Sequence, residues 1–188
     1  MKALVLARHG ALAPNPERRF IGVSDLPLSD AGRKQIRALA RNPADTIGNP
    51  AAIFCSDLAR SRESAAVLAA ALKNVPLHIE PGLREIDLGR WEMLSPAEVR
   101  LAFPGQYEAR GLSPASFRPA GGESFCDLRE RVLAAHARMR ARYPEALLLM
   151  VGHAGVNRTL IAEYLALPLA DLFSIPQPYA CLSLLEGW

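Results

Sequence analysis

The stretch Ala3-Leu4-Val5-Leu6-Ala7-Arg8-His9-Gly10 decides how the chain is read. Five consecutive apolar residues closed by a glycine turn predict a buried parallel strand. Ligands of open α/β sheets collect beyond the carboxyl ends of the strands, where Arg8 and His9 fall. A permanent cation beside an imidazole at such a place points to an anion held while a histidine acts on it. Arg-His-Gly alone recurs by chance, so its weight rests on the rest of the chain.

Working outward, apolar runs alternate with helical patterns, which predicts an α/β layered fold. Residues 11–28, with Pro14, Pro16, Gly22 and Pro27, read as irregular. Ser29 or Asp30 caps a helix to about Arg41, and Asn42 to Pro50 reads as a loop. A second strand covers 51–55, with Ser56 capping an alanine-rich helix to Leu72. A short third strand spans Leu77 to Glu80. Residues 89–122 are less regular and are expected to form a lid or wall over the sheet. Within them Ser95-Pro96-Ala97-Glu98 is a capping box that opens a short helix to Phe103. Ser124 opens a long amphipathic helix to about Arg142. A fourth strand, Leu147 to Val151, ends in Gly152-His153, a helix follows from Val156 to Leu165, and Cys181 to Leu185 makes a last strand.

The chain has 188 residues, half of them apolar, which suits a single domain over 1–188 with a full core. No apolar run approaches the roughly 18 residues of a membrane span, and Met1-Lys2 leads straight into the first strand without a signal-peptide pattern. A cytoplasmic protein without a membrane partner is expected. The formal charge is +3, and the 22 basic residues are arginines except Lys2, Lys34 and Lys73. They are interleaved with acids, as in Arg129-Glu130-Arg131, and form no patch with aromatics, which argues against nucleic acid as a partner. Cys55, Cys126 and Cys181 are odd in number and widely spaced. They read as reduced, partly buried small hydrophobes, with no metal site implied. Nothing in the sequence speaks to oligomeric state.

Further strand ends carry residues of the same kind. Ser56-Asp57-Leu58-Ala59-Arg60 puts Arg60 in the first turn after the second strand, Leu83-Arg84-Glu85 puts a carboxylate past the third, and Gly152-His153-Ala154-Gly155 repeats the opening pattern. Two histidines, two arginines and a glutamate are thus expected at one edge of one sheet. The set suits a phosphomonoester. Planar guanidinium groups bind the equatorial oxygens in bidentate fashion, and helix N-termini add N–H donors. Surrounding cations keep an imidazole neutral, able to attack phosphorus in line and form a phosphohistidine that water later hydrolyses. A carboxyl group can protonate the leaving alkoxide.

With these residues the chain resembles the histidine phosphatase superfamily, also called phosphoglycerate mutase-like. The resemblance is carried in order by Arg8-His9-Gly10, Asn15, Gly22 with Asp25-Leu26-Pro27-Leu28-Ser29, Gly32 with Gln35, and Ser56-Asp57-Leu58-Ala59-Arg60. It continues with Leu83-Arg84-Glu85, Gly89-Arg90-Trp91-Glu92, Gly121-Gly122-Glu123-Ser124 and Val151-Gly152-His153. It implies a three-layer α/β/α sandwich with a mostly parallel central sheet, and a metal-independent phosphomonoesterase that needs no cofactor and acts on a small-molecule phosphate ester. By the same resemblance His9 is the nucleophile, Arg8, Arg60 and His153 complete the phosphate pocket, and Glu85 is the proton donor. Asn15, Ile21, Gly22 and Ala154 fall at phosphate or substrate contacts. Ile21 and Ala154 depart there from a frequent glutamine and glycine, and Ala11-Leu12 from an acid and a threonine, which makes the pocket more apolar. The short length and the run 117–125 resemble the α-ribazole phosphatases of cobalamin synthesis.

Plainer readings stand beside these. Glu85 could pair structurally with Arg84 or Arg90, Asn15 could be a turn residue, and Phe20 and Trp91 could be core or substrate platforms. Arg62 lies on another helix face and reads as a solvated charge, and His78 and His136 as structural. In function, the alternatives are a broad sugar or nucleotide phosphatase, a phosphoglycerate mutase, and a non-catalytic phospho-ligand-binding module on the same fold. A mutase must keep its phosphoenzyme from water, and the modest 89–122 segment argues against that.

Overall fold

The opening strand lies inside the sheet, as its unbroken apolar run requires. In the computed structural model, which describes residues 3–73 and 75–187, β1 (Ala3–Arg8) pairs in parallel with β4 (Leu147–Gly152) and antiparallel with β5 (Leu182–Glu186). Met1 and Lys2 lie outside the described residues. Next come β2 (Ala52–Cys55) beside β4 and β3 (Leu77–Ile79) at the edge, both parallel, which gives the order β3-β2-β4-β1-β5. Only the last strand runs against the others.

Side-chain alternation along these strands divides the core in two. Leu4, Leu6, Phe54, Leu148 and Met150 face one side, where they meet α6 (Phe125–Arg142) and α7 (Ala154–Tyr164). Val5, Ala7, Ile53, Cys55, Leu149 and Val151 face the other, against α1 (Asp30–Leu39) and α3 (Ala59–Leu72). Both faces are covered, so the strands read as continuous apolar runs, and the architecture is the three-layer α/β/α sandwich. The segment 89–122 carries a 3₁₀ turn (Gly89–Trp91), α4 (Pro96–Ala102) and α5 (Gln106–Leu112). It packs on the first core through fully buried Trp91 and Val99.

Several expectations are corrected. The stretch Asn42 to Pro50 holds a one-turn helix, α2 (Pro43–Thr46), with proline at its start. Neither α5 nor the 3₁₀ turn Leu169–Ser174 is signalled by strong periodicity. Helix α7 starts at Ala154, two residues earlier than its apolar pattern suggests. Ser56 does not cap α3. Leu58 occupies that position without a side-chain bond, and Asp25 Oδ1 accepts the Ala59 N–H at 2.7 Å from a distant loop. Ser29 and Ser124 do cap their helices, the latter in a capping box with Asp127. The three cysteines are free, but Cys126 is exposed where partial burial was expected. No helix among the described residues is long and apolar enough to cross a membrane.

Candidate active site

Strand register builds the site. Arg8 lies opposite Gly152 and Cys55 opposite Val151, so β1 and β4 end level, β2 ends one residue short of them, and the residues that follow, His9, Ser56 and His153, come to one edge. The His9 N–H extends the ladder to Gly152 O at 3.1 Å. The two imidazole rings stand with centroids 5.2 Å apart.

His9 is almost fully buried, and its Nδ1 lies 2.7 Å from Gly10 O. A carbonyl oxygen only accepts, so Nδ1 carries the proton and Nε2 keeps the free lone pair. Burial lowers the pKa of His9 to about 3, helped by the Arg60 and Arg8 charges and opposed by the Gly10 bond. The ring is therefore neutral at physiological pH. His153, wholly buried, is held well below its ordinary value by burial first and then by His9, Arg60 and Arg8. Its Nε2 meets Ser56 Oγ at 2.7 Å. That hydroxyl accepts the Leu58 N–H at 3.3 Å, and its own proton has no other acceptor among the described residues. Ser56 thus donates to Nε2, which leaves the His153 proton on Nδ1.

The two guanidinium groups reach the histidines from different directions. Arg60 is nearly fully buried on the first turn of α3, and donates to Ser24 O at 2.7 Å and Gly22 O at 2.6 Å. The loop that supplies those carbonyls is held by Glu92, which accepts from the N–H groups of Gly22, Val23, Ser24 and Leu88 and from the Ser24 hydroxyl. A Cβ on Gly22 would overlap Ile86 O and Glu92 Oε1, so only glycine fits there. Arg8 donates to Gln177 O and lies under the Tyr179 ring, its guanidinium carbon 3.9 Å from the centroid. Tyr179 also stands 5.6 Å, centroid to centroid, from His9. Buried nitrogens of this cluster, Arg8 Nε, Arg60 Nε and His153 Nδ1, have no hydrogen-bond partner among the described residues. Donors buried without acceptors are costly, and donors of this kind gathered beside a neutral imidazole are suited to receive an anion.

Glu85 is buried on the same side. Its Oε1 accepts from Ile86 N and its Oε2 from Gly155 N, each at 3.0 Å, so it also closes the first turn of α7. A Cβ on Gly155 would run into Glu85 Oε1. Neither proposed structural partner reaches it: Arg84 pairs with Asp57, and Arg90 is exposed with its guanidinium over Phe103. The backbone beside it is held by Arg131, which bonds the carbonyls of Gly82, Arg84 and Glu85 while paired with Glu123.

The other expected contacts are less uniform. Asn15 is exposed, and its amide is spent on both backbone groups of Arg19 at 2.8 Å, as a turn residue does. Ile21 and Ala154 are half-buried, the first preceding the Gly22 loop and the second opening α7. Phe20 packs at a tilt against Trp91, which belongs to the core. Arg62 is exposed; His78 bonds Tyr143, and His136 is buried in α6. Sequence reasoning missed Tyr179 and Gln177, which lie in a proline-marked loop without any chemical signature, and the part that Ser56 plays beside His153. Among the described residues no group of three or more His, Cys, Asp or Glu could hold a metal ion.

Residues 4–188 match the family model of the histidine phosphatase superfamily, branch 1. A bifunctional protein of Mycobacterium tuberculosis is 32% identical over 97% of the chain, but the chain spans only 50% of that relative's length. The adenosylcobalamin/alpha-ribazole phosphatase of Salmonella typhimurium is 30% identical over 97% of the chain and 89% of the relative. Among solved structures, a mycobacterial glucosyl-3-phosphoglycerate phosphatase superposes with a TM-score of 0.85 at 30% identity, covering 97% of this chain and 89% of that one. The same enzyme has been solved with inorganic phosphate.

Proposed function

The chain belongs to the histidine phosphatase superfamily, branch 1, and from that premise we propose that it is a phosphomonoesterase working through a phosphohistidine. The observation that carries this reading is His9: a buried neutral imidazole with its Nδ1 proton tied to Gly10 O, so that Nε2 is the nucleophile. Nε2 attacks phosphorus in line; the N–P bond forms as the bond to the ester oxygen breaks. Arg8 and Arg60 neutralise the non-bridging oxygens, and His153 donates from Nδ1. Glu85 gives its proton to the departing alkoxide and then takes one from the water that attacks the phosphohistidine, which releases phosphate. The half-buried Ile21 and Ala154 and the Gly22 loop line the approach, and Asn15 holds the outer loop.

Two substrates deserve testing first. Relatives at about 30% identity carry the names of α-ribazole and glucosyl-3-phosphoglycerate phosphatases, and overall similarity does not separate them. The experiment is a panel of phosphate esters containing both, followed by rapid quenching with labelled substrate. The expected result is turnover with an acid-labile, base-stable adduct on His9, and neither turnover nor adduct in His9→Ala. An adduct on another residue, or full activity of His9→Ala, would sink the mechanism. Phosphate binding without turnover would return the chain to the non-catalytic binding module.

A further inference from the structure

The two guanidiniums of the phosphate cluster are held in different ways. Arg60 is fixed at both terminal nitrogens by the carbonyls of Ser24 and Gly22. Arg8 is half-buried, and its guanidinium makes one hydrogen bond among the described residues, to Gln177 O from Nη1. A planar fork tied at one corner can still swing about that corner. Its Nε is nonetheless buried without an acceptor among the described residues, so something other than hydrogen bonding sets its orientation.

Tyr179 supplies that constraint. The Arg8 guanidinium carbon lies 3.9 Å from the centroid of its ring, well inside the roughly 6 Å reach of a cation–π contact. The same ring stands 5.6 Å from the His9 imidazole, centroid to centroid, so it walls cation and nucleophile together. Tyr179 is 37% exposed and belongs to neither core cluster, so the ring does not serve to fill the interior. The loop that carries it is fastened to the end of β1. The Arg8 N–H donates to Cys181 O at 3.0 Å, and the Ala180 N–H donates to His9 O at 3.2 Å. Gln177 is buried, and its Oε1 accepts from Asn157 Nδ2 at 3.0 Å and from Cys181 Sγ at 3.4 Å. Ala180 takes the left-handed conformation, with φ 57°, which a residue bearing a side chain keeps only where its surroundings enforce it.

We infer that Tyr179 is a positioning residue for phosphate recognition: Gln177 O holds one corner of Arg8, and the Tyr179 ring covers its face and fixes the Nε–Nη2 edge toward the anion. This rests on the phosphomonoesterase reading, since the anion is taken to be the phosphoryl group of the substrate. Along that edge an arginine offers two parallel N–H groups, which match two oxygens of one phosphate. An aromatic face removes the swing and the water from one side of the guanidinium and leaves the in-plane donors free. The ordering is then complete in the folded protein and is not left to the moment of binding.

The test is a double-mutant cycle, read by binding of inorganic phosphate and by turnover of p-nitrophenyl phosphate. Tyr179→Leu keeps apolar bulk and loses the π face. It should weaken phosphate binding and lower kcat/KM by about tenfold, the range of a cation–π contact shielded from water. Tyr179→Phe keeps the face and should restore most of that loss. In an Arg8→Ala background, Tyr179→Leu should cost nothing further. An equal loss with and without Arg8 overturns the inference. So does a Tyr179→Phe variant as weak as Tyr179→Leu, which would assign the effect to the hydroxyl. Should Tyr179→Leu fail to fold, fluorinated phenylalanines at position 179 carry the test, because each fluorine weakens the face and nearly keeps the shape. Phosphate affinity should then fall stepwise with fluorine number, and a flat series overturns the inference. Phosphate binding that follows the ring in a protein that hydrolyses no ester would keep the role of Tyr179 and discard the phosphatase reading. Absence of both phosphate binding and turnover in wild type would discard the two together.

Discussion

The imidazoles of His9 and His153 stand 5.2 Å apart, their planes inclined at 58°, and the charges of Arg8 and Arg60 act on both. Four nitrogen bases so close cannot all be charged, and burial decides which are not. Both histidines are neutral in the native state, whereas in the unfolded chain each titrates near 6.5.

Stability should therefore depend on pH in a defined window. Each histidine has a folded pKa below its unfolded value, so its contribution is full above about 6.5 and is lost as pH falls toward the folded value, about 3 for His9. At pH 5 His9 alone removes on the order of 2 kcal/mol. His136, lowered to about 4 by burial, adds loss in the same range. Melting curves from pH 7.5 to 5 should show Tm falling in wild type, with a shallower slope in His9→Asn. An unchanged slope would mean that His9 is protonated in the native protein.

Arg60 and Arg62 are two residues apart on α3, one nearly fully buried and the other exposed. Arg60→Ala should lower kcat/KM by roughly a hundredfold or more, as loss of a transition-state charge donor does elsewhere. It also strands the carbonyls of Gly22 and Ser24, so Tm should drop. Arg62→Ala should behave like wild type in both assays. The reverse ranking would remove Arg60 from the phosphate cluster.

Ser56 offers a sharper test of the second histidine. Ser56→Ala removes the hydroxyl 2.7 Å from His153 Nε2, and with it the reason for the proton to stay on Nδ1. Nitrogen NMR of the histidine rings should show a changed tautomer balance at His153. Turnover should fall about tenfold, and Ser56→Thr, which keeps the hydroxyl, should restore much of it. Wild-type ring shifts in Ser56→Ala would show that the proton is fixed by something else.

How much of this was legible follows from where each residue sits. Arg8, His9, Arg60, Glu85 and His153 all follow strand ends, and buried strands announce themselves as apolar runs. Arg8, His9 and His153 stand one or two residues past their runs, and Arg60 and Glu85 five and six residues past theirs. Tyr179 follows no such run. It reaches Arg8 because Gln177 O, on the same loop, accepts from Arg8, a contact between residues far apart in sequence. Ser56 looked like a helix cap because serine before a helical pattern usually is one, and Asp25 took that task from another loop. Helix α5 has seven residues, includes Gly111, and buries none of them, so no periodic stripe betrays it.

Glu85→Gln addresses the proton donor. Glutamine keeps the size and can still accept from Ile86 N and Gly155 N, so the first turn of α7 should survive. An alkyl alkoxide is a poor leaving group and needs its proton in the transition state, an effect worth about 10²–10⁴-fold. p-Nitrophenolate departs without one. The variant should therefore phosphorylate His9 far more slowly from a sugar phosphate than from p-nitrophenyl phosphate, relative to wild type. The comparison belongs to single-turnover bursts, because the same carboxylate serves as base when water attacks the phosphohistidine, and steady-state rates for both esters would fall alike. Equal loss of burst rate with the two esters would leave Glu85 as the residue that closes α7 and nothing more.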